Sequence, residues 1–299
     1  MHIVSLVGEQ AAPSLVVLRT LSPKGFTLVC TDLSKRIAGN IRDLVQAEER
    51  YLLEVPPYRL GEITGLLRVH IGSIEGEIAF DLTGGTKTMA LAAYAVARSM
   101  GAKIYYLKFQ GEKVIFEYTW EGDVLKERGI PLGSSPFTLS DYLGAYLGPG
   151  NFDIHGIPEE PDSPGKRFEK EVYEALAESL DEVGASIRIS GALELDLAFR
   201  KGISVGVAEV KTGRKACEKR PLEQLNAACA REHLGTYTKK VLIIDRVWDA
   251  SKENLIDLAR AWKIKVIELP SFGVQNCLSL EDKRKLQEEV TKFLEGGKS

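Results

Sequence analysis

Residues 193–211 read Leu-Glu-Leu-Asp-Leu-Ala-Phe-Arg-Lys-Gly-Ile-Ser-Val-Gly-Val-Ala-Glu-Val-Lys, and no other stretch restricts the fold as tightly. In the first half, Leu193, Leu195, Leu197 and Phe199 alternate with Glu194, Asp196 and Ala198. That is the pattern of a strand with one buried face. Arg200, Lys201 and Gly202 supply a short polar turn, and a second strand starts at Ile203. Glu209 and Lys211 are two apart, so their side chains leave the same face. Such a hairpin can bring Asp196, Glu209 and Lys211 together at one end. Two acids and a lysine are costly to bury on strands without a task.

Two convergent carboxylates offer hard oxygen ligands to a divalent cation such as Mg2+. A cation held there polarises a phosphoryl oxygen and acidifies a bound water. A neighbouring lysine orients that water or offsets developing charge. The set suits phosphodiester hydrolysis. The same spacing also fits a solvated hairpin whose polar face carries acids and a lysine.

At 299 residues the chain is long enough for two ordinary domains. A net charge of -3 means that any nucleic-acid contact comes from local basic patches, which argues against a constitutive DNA coater. Cys30, Cys217, Cys229 and Cys277 form no C-x-x-C pair and the four histidines do not cluster near them, so neither a zinc site nor a disulfide framework is expected. The chain begins with a strand-like segment and no apolar run reaches membrane length; the expectation is a cytoplasmic protein with no membrane partner.

Up to residue 120 the pattern alternates strands with helices. Strands are expected over 3–8, 26–31, 51–55, 77–83, 103–109 and 114–120, and helices from Pro13-Ser14, from Ser34, over 59–71 and over 88–100. This order argues for an open, mostly parallel Rossmann-like sheet. In such sheets ligands bind outside the carboxyl ends of the strands. Two loops qualify: Gly8, Glu9, Gln10, Pro13 and Ser14 after the first strand, and Thr83, Gly84, Gly85, Thr86 and Lys87 after the fourth. The second combines permissive glycines, a helix N-terminus and a lysine into an anion-binding corner. It also fits a plain strand-to-helix turn with an exposed lysine. Neither a Walker A loop nor a G-x-G-x-x-G follows a strand here, so a nicotinamide or flavin role has no support.

From about residue 125 the pattern loosens, and Pro149, Pro158, Pro161 and Pro164 among glycines and acids read as a linker. The expected division is 1–124, a connecting segment 125–164, and 165–299. The second part opens on an amphipathic helix, with Phe168, Val172, Leu176 and Leu180 on one stripe and Glu169 off it. After the hairpin come a loop with Arg214, Lys215, Lys219 and Arg220, a helix over 222–232, strands at 241–245 and 266–269 flanking a helix, and a terminal helix over 281–294. This is a second α/β domain.

The helix Gly-Lys-Arg-Phe-Glu-Lys-Glu-Val-Tyr (165–173), Glu194-Leu-Asp196, Glu209-Val-Lys211-Thr-Gly213 and the later Gln224 resemble the PD-(D/E)xK nuclease superfamily. The resemblance implies a restriction-endonuclease-like fold for residues 165–299. It further implies that Asp196, Glu209 and the Val210 carbonyl bind Mn2+ or Mg2+ while Lys211 assists the attacking water. Glu169 would complete or orient the metal shell, and Gln224 would help bind phosphate. The proline before the first acid is absent.

Asp81-Leu-Thr-Gly-Gly-Thr-Lys-Thr-Met89 and Ser5-Leu-Val-Gly-Glu-Gln-Ala-Ala-Pro-Ser14 resemble the CARF sensors of cyclic oligoadenylates. The resemblance implies that phosphates meet Lys87 and the amides of Gly84 to Thr86, and that Gln10 and Ser14 meet bases or ribose. The order of the two domains is similar to that of the cyclic-tetra-adenylate-activated nucleases of type III CRISPR systems. A homodimer binding the ring across its twofold axis, and cleavage of single-stranded nucleic acid or nicking of duplex DNA, are then implied. The rival readings are a ring-binding regulator or ring nuclease, a ribonuclease with R-x4-6-H, and a transcription regulator. Neither that motif nor a helix-turn-helix pattern is found after the linker.

Overall fold

The computed structural model describes residues 1–108, 113–132, 136–189, 193–230 and 233–296. The expected strand end at Phe109, the expected helix end at Glu232 and the side chain of Leu193 lie outside the described residues. The chain divides into two compact units, Met1–Pro149 and Gly150–Ser299.

Among the described residues the first unit holds a seven-stranded sheet in the order β3-β2-β1-β4-β5-β6-β7. Its strands are β1 (His2–Leu6), β2 (Gly25–Cys30), β3 (Glu49–Glu54), β4 (Ile78–Asp81), β5 (Lys103–Lys108), β6 (Val114–Glu121) and β7 (Val124–Pro131). The first five are parallel and the last two antiparallel. Helices α1 (Ala11–Leu21) and α2 (Lys35–Leu44) pack on each other and on α5 (Leu139–Leu147), while α3 (Leu60–Ile71) packs on α4 (Lys87–Met100). Strands buried on both faces need near-continuous apolar runs, and Ile3, Val4, Leu6, Phe26, Leu28 and Val29 supply them with no exposed surface. The strand order reverses between β1 and β4, which opens a crevice at their carboxyl ends.

The linker expected over 125–164 is corrected here. Residues 124–131 form the edge strand β7, and residues 139–147 form α5, capped by the Thr138 hydroxyl (3.0 Å from the Asp141 N–H). An edge strand with one poorly covered face has no clean alternation to read. In α5, Leu139, Tyr142, Leu143 and Tyr146 do carry helical spacing and are buried.

Among the described residues the second unit holds a six-stranded sheet in the order β13-β12-β11-β10-β9-β8. Its strands are β8 (Phe152–Ile154), β9 (Glu182–Ile189), β10 (Leu193–Lys201), β11 (Ser204–Lys211), β12 (Lys239–Ile244) and β13 (Ile264–Glu268). Its helices are α6 (Pro164–Ala177), α7 (Arg220–Ala228), α8 (Glu253–Ala261), α9 (Pro270–Gln275) and α10 (Leu280–Leu294). One apolar cluster joins Phe168 and Val172 of α6, Leu197 and Phe199 of β10, Ile243 of β12 and Val290 of α10. The expected hairpin forms, pairing Leu197 with Ala208 and Lys201 with Ser204. Strands β8 and β9 were not expected; β9 mixes Glu, Gly, Ala and Ser with its apolar residues and carries no legible period. Among the described residues no helix is long and apolar enough to cross a membrane.

A buried polar link spans the first sheet, where the Thr27 hydroxyl lies 2.9 Å from Nε2 of His2 and 2.8 Å from Nε2 of His70. Burial lowers both imidazole pKa values below the ordinary 6.5, with Glu49 partly opposing this at His2. As pH falls below 6.5 the unfolded chain takes up protons that the folded rings resist, so stability is full above that value and declines beneath it. Thermal melts between about pH 7.5 and 5 are expected to show this decline. A His70→Gln variant, which keeps a donor toward Thr27 but does not titrate, is expected to show a shallower one.

Candidate functional site

In the first unit the two glycine loops meet at the crevice between β1 and β4. Gly85 adopts a left-handed conformation (φ 74°). A Cβ on Gly84 would lie 2.1 Å from the Leu6 carbonyl oxygen, and one on Gly8 would lie 3.2 Å from the Gly85 nitrogen. The backbones can approach this closely only without side chains. Beneath them Asp81 is fully buried. Its carboxylate accepts from the Ser5 hydroxyl (2.7 Å), the Thr83 N–H (3.0 Å) and the Thr83 hydroxyl (2.5 Å). Burial raises the Asp81 pKa, and these three hydrogen bonds oppose the rise.

Each expected ligand residue has a definite place. Lys87 is exposed at the first position of α4, whose N-terminus is capped by the Thr86 hydroxyl (3.1 Å from the Met89 N–H). The Thr86 hydroxyl also donates to the Pro57 carbonyl (2.8 Å). Gly8, Glu9, Gln10 and Pro13 are partly exposed around the crevice. Ser14 is not. It has no exposed surface and its hydroxyl points to the Leu6 carbonyl (3.3 Å), so it braces β1 instead of facing a ligand. Thr83 is likewise engaged, donating to Asp81 and accepting from the Leu107 N–H (2.8 Å).

In the second unit Glu169, Asp196, Glu209, Val210, Lys211 and Gln224 line one cleft of about 550 Å³. Asp196 stands one step beyond the last hairpin pair, Leu197–Ala208, and its carboxylate accepts from the Val210 N–H (2.7 Å). The ladder to β9 runs from Leu195–Ile187 to Leu197–Ala185; between them Ser186, the residue beside Asp196, is left-handed (φ 51°). That conformation costs a non-glycine residue about 1–2 kcal/mol, and it marks the sheet's irregularity at the site.

The Lys211 ammonium bridges the two acids, bonding Asp196 and lying 2.5 Å from Glu209. Burial opposes its charge, yet the two carboxylates outweigh burial and its pKa is raised. Glu209 is 1% exposed, and burial first, then the Asp196 charge, pushes its pKa well above the ordinary carboxylate range. Glu169 is raised by burial too, although Lys166 donates to its Oε2 (2.8 Å). One carboxylate oxygen of Glu169 and one of Glu209 are buried without a hydrogen-bond partner. Leaving such an acceptor unpaired costs about 1–3 kcal/mol.

Three carboxylates and a backbone carbonyl are the donor chemistry of Mg2+ or Mn2+, and the two orphaned oxygens are acceptors that a cation would satisfy. The donors fit the ion chemically but are not gathered around one point. Among the described residues no group of three or more His, Cys, Asp or Glu is disposed as a metal cluster, and the Lys211 ammonium holds the place between Asp196 and Glu209.

Residues 2–132 match the Card1 CARF domain. The N-terminal unit is thus a CARF domain followed by a second α/β domain. No curated protein matches the chain in sequence. Among solved structures, Can2 from Sulfobacillus thermosulfidooxidans in complex with cyclic tetra-adenylate is 15% identical, with a TM-score of 0.71 over 98% of this chain and 96% of that one. The protein VC1899 from Vibrio cholerae is 14% identical, with a TM-score of 0.73 over 99% of both chains. A type III CRISPR defence DNA nuclease activated by cyclic oligoadenylate is 17% identical, with a TM-score of 0.63 over 84% of this chain but 46% of that one. At these identities the likeness establishes the fold.

Reading the residues alone overlooked several members of these sites. Lys166, three residues before Glu169 on α6, and Thr212 line the acidic cleft. The i, i+3 spacing on a helix was the available signal for Lys166. The basic loop is split: Arg214 and Lys215 line the cleft, whereas Lys219 pairs with Glu223 (2.9 Å). In the CARF domain the role of Asp81 as the buried anchor of the glycine loop shows only in three dimensions. A Gly84→Ala change forces a methyl onto the Leu6 carbonyl, and is expected to cost about 1–3 kcal/mol by overpacking. A fall in the urea midpoint at unchanged slope is the measurement.

Proposed function

We propose that this chain is a cation-dependent endonuclease switched on by a cyclic oligoadenylate, with cyclic tetra-adenylate the first ring to try. The observation that carries the reading is the acidic cleft. Glu169, Asp196, Glu209 and Lys211 line it together, and one buried carboxylate oxygen of Glu169 and one of Glu209 have no hydrogen-bond partner. A purely structural ion-pair cluster would close its acceptors with hydrogen bonds. The CARF domain supports the sensing half of the reading, and the likeness to Can2 bound to cyclic tetra-adenylate supports the choice of ring.

Asp196, Glu209 and the Val210 carbonyl would hold Mg2+ or Mn2+, with Glu169 completing or orienting the set. A cation bound there supplies Lewis-acid polarisation of a phosphoryl oxygen and lowers the pKa of a water. The protein's own groups do the rest. Lys211 Nζ, fixed by two carboxylates, orients the attacking water and balances charge on the phosphorane. Gln224, Arg214 and Lys215 along the same cleft meet substrate phosphates and set the strand's direction. The substrate is a nucleic acid, cut as a single strand or nicked as duplex DNA, in type III CRISPR defence in the cytoplasm.

In the CARF domain Lys87, the amides of Gly84 and Gly85 and the Gln10 side chain receive the ring's phosphates and polar edges, the Thr86 amide being turned to Met89 Sδ (3.4 Å). A cyclic ligand with twofold symmetry suits a homodimer in which each protomer presents the same loops to half the ring. Contacts made better in one arrangement of the dimer shift the population toward it and toward a working nuclease.

Incubation with Mn2+, each cyclic oligoadenylate in turn, and labelled single- and double-stranded DNA and RNA tests the reading. Ring-dependent cleavage that EDTA abolishes and Mn2+ or Mg2+ restores is expected; cutting that persists in EDTA rejects the cation. Glu209→Ala or Lys211→Ala should lower cleavage by about 10²-fold or more while ring binding stays intact. Retained cutting would remove these residues from the site. Lys87→Ala should weaken ring binding by about 10-fold or more, the scale of one charged hydrogen bond, with calorimetry as the readout.

A further inference from the structure

One fully buried hydroxyl ties the loop after β1 to the helix from which the chain leaves the first unit. Tyr146, on α5, has no exposed surface, and its Oη donates to Gln10 Oε1 (2.9 Å). Gln10 stands at the N-cap position of α1, in the crevice loop. The carboxyl end of α5 is held a second time from α2. There Arg36 donates to the Tyr146 carbonyl (2.6 Å) and Asn40 to the Ala145 carbonyl (3.2 Å). These are the last-turn carbonyls that a helix leaves without internal partners. The other end of α5 is anchored by Arg19 on Asp141 (2.7 Å). Immediately after α5 come Gly148, Pro149 and Gly150, with both glycines at positive φ (96° and 80°), and the division between the units falls between Pro149 and Gly150.

The helix is therefore held near both its ends, and the chain leaves it through two glycines in conformations that other residues rarely adopt. Moving Gln10 while α5 stays in place stretches or breaks the bond and leaves the buried Tyr146 hydroxyl without that partner. Moving Gln10 with the bond intact carries the end of α5, and with it the start of the crossing segment. We propose that Tyr146 is a positioning residue that couples occupancy of the ring-binding loop to the chain's passage into the second unit, and so to cleavage. The proposal rests on the reading that the loop binds a ring and the second unit cuts.

The test uses the full-length chain and two variants, Tyr146→Phe, which removes only the hydroxyl, and Arg36→Met, which removes one of the two bonds from α2 and keeps the Tyr146 hydroxyl. Cyclic tetra-adenylate affinity is measured by calorimetry, and cleavage of a labelled strand is measured at saturating ring with Mn2+. The expected result is a dissociation constant within about threefold of wild type and a saturated rate about fivefold lower, the scale of one neutral hydrogen bond. A residue that merely stabilised the fold would move the melting temperature and leave the saturated rate unchanged. A saturated rate equal to wild type in both variants, at whatever affinity, overturns the proposal. If Tyr146→Phe does not fold, Arg36→Met decides alone. A wild-type chain that binds the ring but cuts nothing with or without it, or binds no ring at all, overturns the underlying reading and the proposal with it. Failure of the coupling alone leaves wild-type activation in place, so the two failures are told apart.

Discussion

The partly buried Lys211 ammonium between Asp196 and Glu209 is the interaction that the second unit is shaped around. Three ionisable groups on two adjacent strands each carry a desolvation cost that only their mutual attraction offsets. Removing Lys211 leaves the buried Glu209 carboxylate uncompensated. The hairpin register places Asp196 beside Glu209, the Val210 N–H ties the strands at that point, and Phe168, Leu197 and Phe199 pack the hairpin against α6. The apolar core thus fixes the distance between charges that would otherwise relax into solvent. The balance is incomplete, since two carboxylate oxygens are left without partners. An arrangement that tolerates such a deficit is poised for a further positive group.

The CARF domain solves a different problem, the close approach of two backbones. At the reversal of strand order, the loops after β1 and β4 come near enough that Gly84 has no room for a methyl group. Asp81 holds this corner from below through Ser5 and Thr83, and the Thr86 hydroxyl closes the helix end above it. Lys87 is left exposed beside it. In both units a buried carboxylate organises the backbone, but in the first its acceptors are filled by hydroxyl and amide donors, and in the second they are not.

Much of this was legible in the residues. The alternation through 193–211 announced the hairpin because one of its faces is buried, and the parallel strands of the first unit were visible as short apolar runs between helical patterns. Residue type and spacing single out the acidic set and the glycine loop; in the fold the acids line one cleft without surrounding a single point, and the two glycine loops lie against each other while Ser14 turns away. The elements that escaped notice have physical reasons. Strand β7 is an edge with a mostly exposed sequence, β9 mixes small and polar residues with its apolar ones, and α5 runs straight into the glycines and prolines that read as a linker. Ser14 was misread because a helix-initiating serine beside a ligand loop looks the same whether it turns outward or toward the Leu6 carbonyl.

By itself the sequence determined the class of both units, the strand-helix order of the first, and the chemical inventory of the two sites. These follow from local periodicity and residue chemistry, which act over a few neighbours. Tertiary structure alone decided which oxygens would lack partners, how Asp81 anchors a loop, and that Tyr146 meets Gln10 across 136 positions of chain. Burial and long-range hydrogen bonding are properties of the packed whole, and no local pattern encodes them.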